Sequence, residues 1–153
     1  PVVAELAKYA ETDLLCYRAE DRRLAERQAV EWQPLLDWAA LQLDAPLRVT
    51  SGVMPVAQDP SALAALRRAL VVRTPLELAA LGIAVPALGS LVLGLALALG
   101  RLDAAEAFRL ATLDEAFEEA FWGVDAEAAA RRERIAADVT LARRLIDLAS
   151  SAA

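Results

Sequence analysis

The chain contains no histidine and a single cysteine, Cys16. The first absence removes the commonest general base and the commonest metal ligand. The second excludes an internal disulfide and fits a reducing compartment. Aromatic residues are scarce, at 5 % of 153, while apolar residues reach 58 %. The apolar bulk is therefore Ala and Leu, which are strong helix formers. Glycine is sparse as well, at 6 residues, which favours helices over a sandwich or barrel. Lysine is nearly missing: of 16 basic residues only Lys8 is not arginine, and 22 acids leave a net charge of −6. A chain without a basic face is a poor binder of phosphate backbone, so nucleic acid is not an expected partner. A basic protein surface is electrostatically easier to approach. The length suits one domain with a real core.

Catalytic constellations are missing too. No Ser/His/Asp set and no Cys/His pair can be drawn. No P-loop pattern occurs, and Gly82, Gly89, Gly94 and Gly100 are too widely spaced for a dinucleotide fingerprint. Asp114 with Glu118, and Glu115 with Glu119, are carboxylate pairs that could do acid–base work. Their i,i+4 spacing reads more simply as a solvated acidic face. The expectation is no catalytic residue, no metal and no cofactor.

What is present is helical periodicity. Val2 to Ala10 reads as a short amphipathic helix that starts directly after Pro1, without Met or a signal-peptide pattern, which suggests that an upstream part is missing. Asp13 to Arg18 alternates weakly and reads as a short strand. Arg22 to Asp44 places Leu24, Gln28, Trp32, Leu35, Leu36, Ala39 and Leu43 at helical spacing. Pro34 inside it predicts a kink or a restarted helix. Leu47 to Ser51 reads as a second strand, able to pair with the first if a helix covers both. Asp59-Pro60 starts a helix that runs to about Val72. Thr74 with Glu77 and Asp103 with Glu106 have capping-box spacing. Gly123 ends one helix and Asp125 can cap the last. In that last helix Ile135, Val139, Ala142 and Ile146 form a stripe, with Arg131, Arg132, Arg143 and Arg144 largely off it. The fold expected is mainly α, a helical bundle with a minor two-stranded β element.

Leu78 to Gly100 runs for 23 residues without a charge, long enough to span a bilayer. Ala and Gly make much of it weakly hydrophobic, Pro86 splits it, and its flanks carry no aromatic belt. A helix that is apolar all round is the natural centre of a bundle of amphipathic ones, so membrane insertion is not expected.

Leu110 to Gly123 is the segment that composition leaves unexplained. Leu110, Leu113, Phe117 and Phe121 form an apolar stripe, and Asp114, Glu115, Glu118 and Glu119 crowd beside it. Like charges at i,i+4 cost about 0.2–0.5 kcal/mol per pair. Such a face can receive Arg or Lys from a partner through charge-assisted hydrogen bonds. Trp32 and Trp38 read as core packing around Pro34. Trp122 reads as a plug at a helix end, and Cys16 as a small buried hydrophobe.

Three ordered stretches carry a resemblance: Tyr9-Ala10-Glu11-Thr12-Asp13-Leu14-Leu15-Cys16-Tyr17-Arg18, Gln28-Ala29-Val30-Glu31-Trp32-Gln33-Pro34-Leu35-Leu36-Asp37-Trp38, and Leu113-Asp114-Glu115-Ala116-Phe117 followed by Trp122-Gly123. Together they resemble the F₁-ATPase (ATP synthase) assembly chaperone family that binds the F₁ α-subunit, found in mitochondria and α-proteobacteria. The resemblance implies a β-rich N-terminal domain followed by a helical one, with residues 1–153 being the helical domain alone. It implies a chaperone without ATPase activity. Such a chaperone holds unassembled α-subunit, and prevents its aggregation, until β-subunit replaces it. It places a critical acidic residue at Glu115, with Asp114 and Phe117 in the same motif. Ala116 departs from the family's more acidic pattern, and the cluster continues instead at Glu118 and Glu119. The partner-binding set is then Glu115, Asp114, Glu118, Glu119, Phe117 and Trp122. The Arg- and Ala-rich composition suggests a bacterial, cytoplasmic member, expected to be a monomer; a eukaryotic one would sit in the mitochondrial matrix. The alternative reading is a generic acidic helical adaptor for another basic protein surface.

Overall fold

The computed structural model describes residues 1–151. The chain opens with α1 (Val2–Ala7), which tightens into a 3₁₀ turn at Lys8–Thr12, followed by a second 3₁₀ turn at Leu14–Cys16. Then come β1 (Tyr17–Arg18), α2 (Arg22–Gln42), β2 (Thr50–Ser51), α3 (Pro60–Val71), α4 (Pro75–Leu88), α5 (Leu91–Ala98), α6 (Ala104–Ala111), α7 (Leu113–Trp122) and α8 (Ala126–Ser151). The mainly helical class with a minor β element is as expected.

Helix starts follow their capping chemistry. Asp21 Oδ1 accepts from the N–H groups of Arg23 and Leu24 at 2.9 and 3.3 Å. Asp59 caps α3 with Pro60 at its first position. Thr74–Glu77 and Asp103–Glu106 form reciprocal capping boxes, and Asp125 accepts from the Glu127 N–H at 3.1 Å. Each cap satisfies donors that no helical carbonyl can reach.

The strands are shorter than the alternation suggested. Among the described residues only Tyr17–Arg18 and Thr50–Ser51 pair, in parallel, with Tyr17 opposite Thr50 and Arg18 opposite Ser51. Leu14–Cys16 coils into a 3₁₀ turn instead, because Asp13 captures the Leu15 N–H at 3.1 Å. At Arg48 a side chain stands in for a neighbouring strand. Gln58 accepts from the Arg48 N–H at 2.7 Å and donates to its carbonyl at 3.0 Å.

Both interior prolines are absorbed. α2 does not restart at Pro34, and α4 continues through Pro86. A helical proline frees the carbonyl four residues earlier. Here those residues are Val30 and Gly82, which are exposed like the prolines themselves, so water can serve the freed carbonyls. The apolar run breaks at Gly89, with φ +69°, and Ser90 rather than at Pro86.

α5 is the centre of the molecule: every residue from Leu91 to Leu97 is buried. Two apolar clusters meet around it. One joins α2, α4, α5 and α6 with Ile135, Val139, Ala142 and Ile146 of α8. The other joins α1, α3, α4 and α5. Gly94 lets α5 lie against α4, since a Cβ there would fall 2.5 Å from Val85 Cγ2. No helix among the described residues is long and apolar enough to cross a membrane.

Candidate functional site

Gln28 and Trp32 gather the signature stretches into one place. The Gln28 carboxamide accepts from the Ala19 N–H at 2.8 Å and donates to Asp114 Oδ1 at 2.8 Å. Trp32 is fully buried and donates its indole N–H to the Leu110 carbonyl at 2.9 Å. Arg18, stacked over Trp32 at 6.0 Å, donates to the Leu15 carbonyl and to Gln33 at 3.1 and 3.2 Å. Asp13 ties the first stretch to α5. It accepts from Ser90 Oγ at 2.7 Å and from the Val92 N–H at 3.0 Å. The role of Asp13 was invisible in the sequence, since its partners lie 77 and 79 residues away. Cys16 is buried, and that burial pushes its thiol up to about 12, so it is inert at neutral pH.

α7 is set differently. Thr112 alone separates it from α6, and Thr112 Oγ1 bonds back to the Phe108 carbonyl at 2.8 Å. Of its residues only Leu113 is buried, and α8 buries nothing before Ile135. α7 and the first turns of α8 therefore form a hairpin that contributes little to the core. The hairpin is held by polar contacts. Glu115 pairs with Arg131 and, at 3.8 Å, with Arg132. Glu119 also pairs with Arg132. The Arg132 hydrogen bond holds the Glu119 carboxyl below the usual carboxylate range, and the same bond raises Arg132. Glu115 Oε2 is buried without a hydrogen bond of its own. On the other flank Arg23 lies over the Phe121 ring at 4.5 Å.

The six expected partner residues thus separate by face. Asp114 turns toward α2. It lines an open cleft of about 400 Å³ with Tyr17, Arg18, Glu20 and Val53. Glu115, whose side chain is 19 % exposed, and Glu119 turn toward α8. Glu118 is exposed. Phe117 is half-buried and tilts against Phe121 at 5.1 Å. Trp122 is 87 % exposed, so it plugs nothing; Gly123, with φ +84°, turns the chain away before anything can cover it. Phe121 and Val124, 50 % and 74 % exposed, join it at the hairpin tip. Sequence reasoning missed Phe121 and Val124 as surface, because helical spacing shows a stripe but not whether a neighbour covers it. It also missed Arg131 and Arg132 as partners of the acids. Their place off the apolar stripe was the available signal.

A sequence profile of the family described as ATP12 chaperone protein matches residues 1–40. The crystal structure of Atp12 from Paracoccus denitrificans superposes with a TM-score of 0.93 at 45 % identity, covering 96 % of this chain and 64 % of that one. A variant of the Paracoccus protein with lysine in place of an aspartate gives 0.94 at 44 % identity, over 96 % and 63 % of the two chains. A protein from Agrobacterium tumefaciens, itself proposed to be a chaperone, gives 0.90 at 40 % identity over 95 % and 55 %. The chain spans less than two thirds of the length of these relatives. Over the residues it shares with them, it belongs to the ATP12 chaperone family.

Proposed function

We propose that this protein is an ATP synthase assembly chaperone whose client is the unassembled F₁ α-subunit, and that residues 1–153 are its helical domain. Family membership supports the chaperone reading. The observation that carries the site is the hairpin tip, where Phe121, Trp122 and Val124 stand in solvent on elements that add little to the core. Apolar residues gathered on a surface mark interaction sites. A free subunit likewise exposes surface that its neighbour will later cover. A chaperone must hold that surface and then release it. A small apolar tip with a charged rim suits this, because rim charge raises on-rate and selectivity more than affinity.

Asp114, Glu115, Glu118 and Glu119 supply that rim: Glu118 is exposed and meets a basic residue of the client directly, whereas Asp114, Glu115 and Glu119 do so by exchanging Gln28, Arg131 and Arg132 for it, and Phe117 packs against Phe121. Glu115→Lys would place a third cation beside Arg131 and Arg132. It should weaken capture without unfolding the domain, since the buried core does not include Glu115. Loss of the thermal transition in this variant would make Glu115 structural and remove it from the site.

The test of function uses isolated α- and β-subunits separately, followed by light scattering and size-exclusion co-elution. Suppressed aggregation of α with a co-eluting complex, and no effect on β, is the expected result. A folded protein that forms no complex with either subunit would leave the acidic adaptor as the better reading.

A further inference from the structure

A second surface lies on the opposite flank of α7, away from the Glu115–Arg132 contacts. α2 and α7 run antiparallel there, with Arg23 beside Phe121, Gln28 beside Asp114 and Trp32 beside Leu110. Between them is a groove of about 140 Å³ lined by Leu113, Ala116, Phe117, Ala120 and Arg27. Ala116 and Ala120 are exposed and one helical turn apart, so an incoming backbone can approach closely. Arg27 lines the groove, and Arg23, one turn before it on α2 and also exposed, lies over the neighbouring Phe121 ring. Neither has an ion-pair partner among the described residues.

We propose that this groove seats an apolar side chain from the small apolar face of an amphipathic client helix lying across it, with carboxylates at i,i+4 that meet Arg23 and Arg27. Charge selects the occupant: Arg27 is the one charged residue of the lining and Arg23 adds a second unpaired cation beside it, so an acidic edge completes them through charge-assisted hydrogen bonds. Conformation is selected as well. Both walls are helices whose backbone N–H and C=O groups are already bonded internally. An extended peptide would lose water from its own backbone there without replacement, whereas a helix arrives with those groups satisfied. The i,i+4 spacing of Arg23 and Arg27 is also the spacing at which a helix presents side chains on one face. The groove therefore asks for a partner chemistry opposite to that of the acidic rim, and the two flanks of one hairpin can grip two differently charged parts of a client.

Assigning the helix to the client rests on the assembly-chaperone reading; the groove itself does not, so the two are tested apart. The probe is a fluorescein-labelled, lactam-stapled helical peptide with a Leu/Ala face and Glu at two i,i+4 positions. Its control carries Lys at the same two positions. Anisotropy titrations against the whole chain should show the Glu peptide binding at least about tenfold more tightly than the Lys peptide. Ala116→Trp, which fills the groove from an exposed position, should remove the difference. So should Arg27→Glu, with the melting temperature of each variant unchanged. Equal binding of the two peptides would overturn the proposal, as would Glu-peptide binding indifferent to both substitutions. A dimer that Ala116→Trp dissociates would overturn the client as occupant and assign the groove to a second copy. Capture of α-subunit, measured separately, reports on the function alone.

Discussion

Asp13 is completely buried, yet its carboxylate collects the Leu15 and Val92 N–H groups and the Ser90 hydroxyl. Burial raises its pKa, and the bonds from Val92, Ser90 and Leu15 draw it partly back. Removing the acceptor leaves several buried donors unpaired. Asp13→Ala should therefore destabilise the fold by about 3 kcal/mol or more in urea unfolding. The raised pKa adds a pH signature. Protonation is favoured more in the folded than in the unfolded state. The resulting stability is complete below the unfolded carboxylate pKa and fades as pH rises through the folded one. Wild type should thus gain on Asp13→Asn as pH falls toward about 4. Gly94 is the second such position. Val85 is β-branched and cannot swing its methyl aside freely, so Gly94→Ala should cost about 1–3 kcal/mol by overpacking, read from the urea midpoint. Neither role could be seen in the sequence, because both depend on a residue brought near by the fold. Asp13 stood in a stretch that merely alternated, and Gly94 in a run that merely lacked charge.

At the level of elements, what was legible was what is local. Asp59-Pro60, Thr74 with Glu77 and Asp103 with Glu106 act through bonds spanning two or three residues, so their pattern is complete in the sequence. The stripe Ile135, Val139, Ala142, Ile146 was legible for the same reason, and all four are buried. Pro86 does not split its helix and α2 does not restart at Pro34, because breaking a helix depends on whether water can reach the freed carbonyl, which is a matter of facing. Leu47 to Ser51 misled because Gln58 takes over part of the expected strand pairing. The acidic helix was legible in composition but not in geometry: its acids divide between α2, α8 and solvent. The hairpin's pH response follows from the Glu119–Arg132 bond. Arg132 depresses the Glu119 pKa. The stabilisation is therefore present above the unfolded carboxylate pKa and is lost as pH falls through the lower, folded value. Acidification should loosen α7 from α8 before the core melts. A donor–acceptor pair attached after Glu118→Cys and Glu127→Cys, both exposed positions, should move apart in that range, and the change should vanish when Glu119→Gln is added.

At the scale of the whole molecule, burial and polarity are unevenly distributed. α5 and its neighbours form a closed interior, while α7 and the start of α8 stand outside it, joined largely by charge. Ion pairs on a surface weaken as salt screens them. The hairpin can therefore adjust or open without cost to the rest of the fold, as a part that must grip and release requires. Trp122 stands at its tip, 87 % exposed. The decisive measurement replaces Trp122 with benzoylphenylalanine and irradiates the protein with unassembled F₁ α-subunit or β-subunit. The expected result is a covalent adduct with α, none with β, and loss of the α adduct when β is added in excess. A complex with α that forms normally but gives no adduct from position 122 would contradict it.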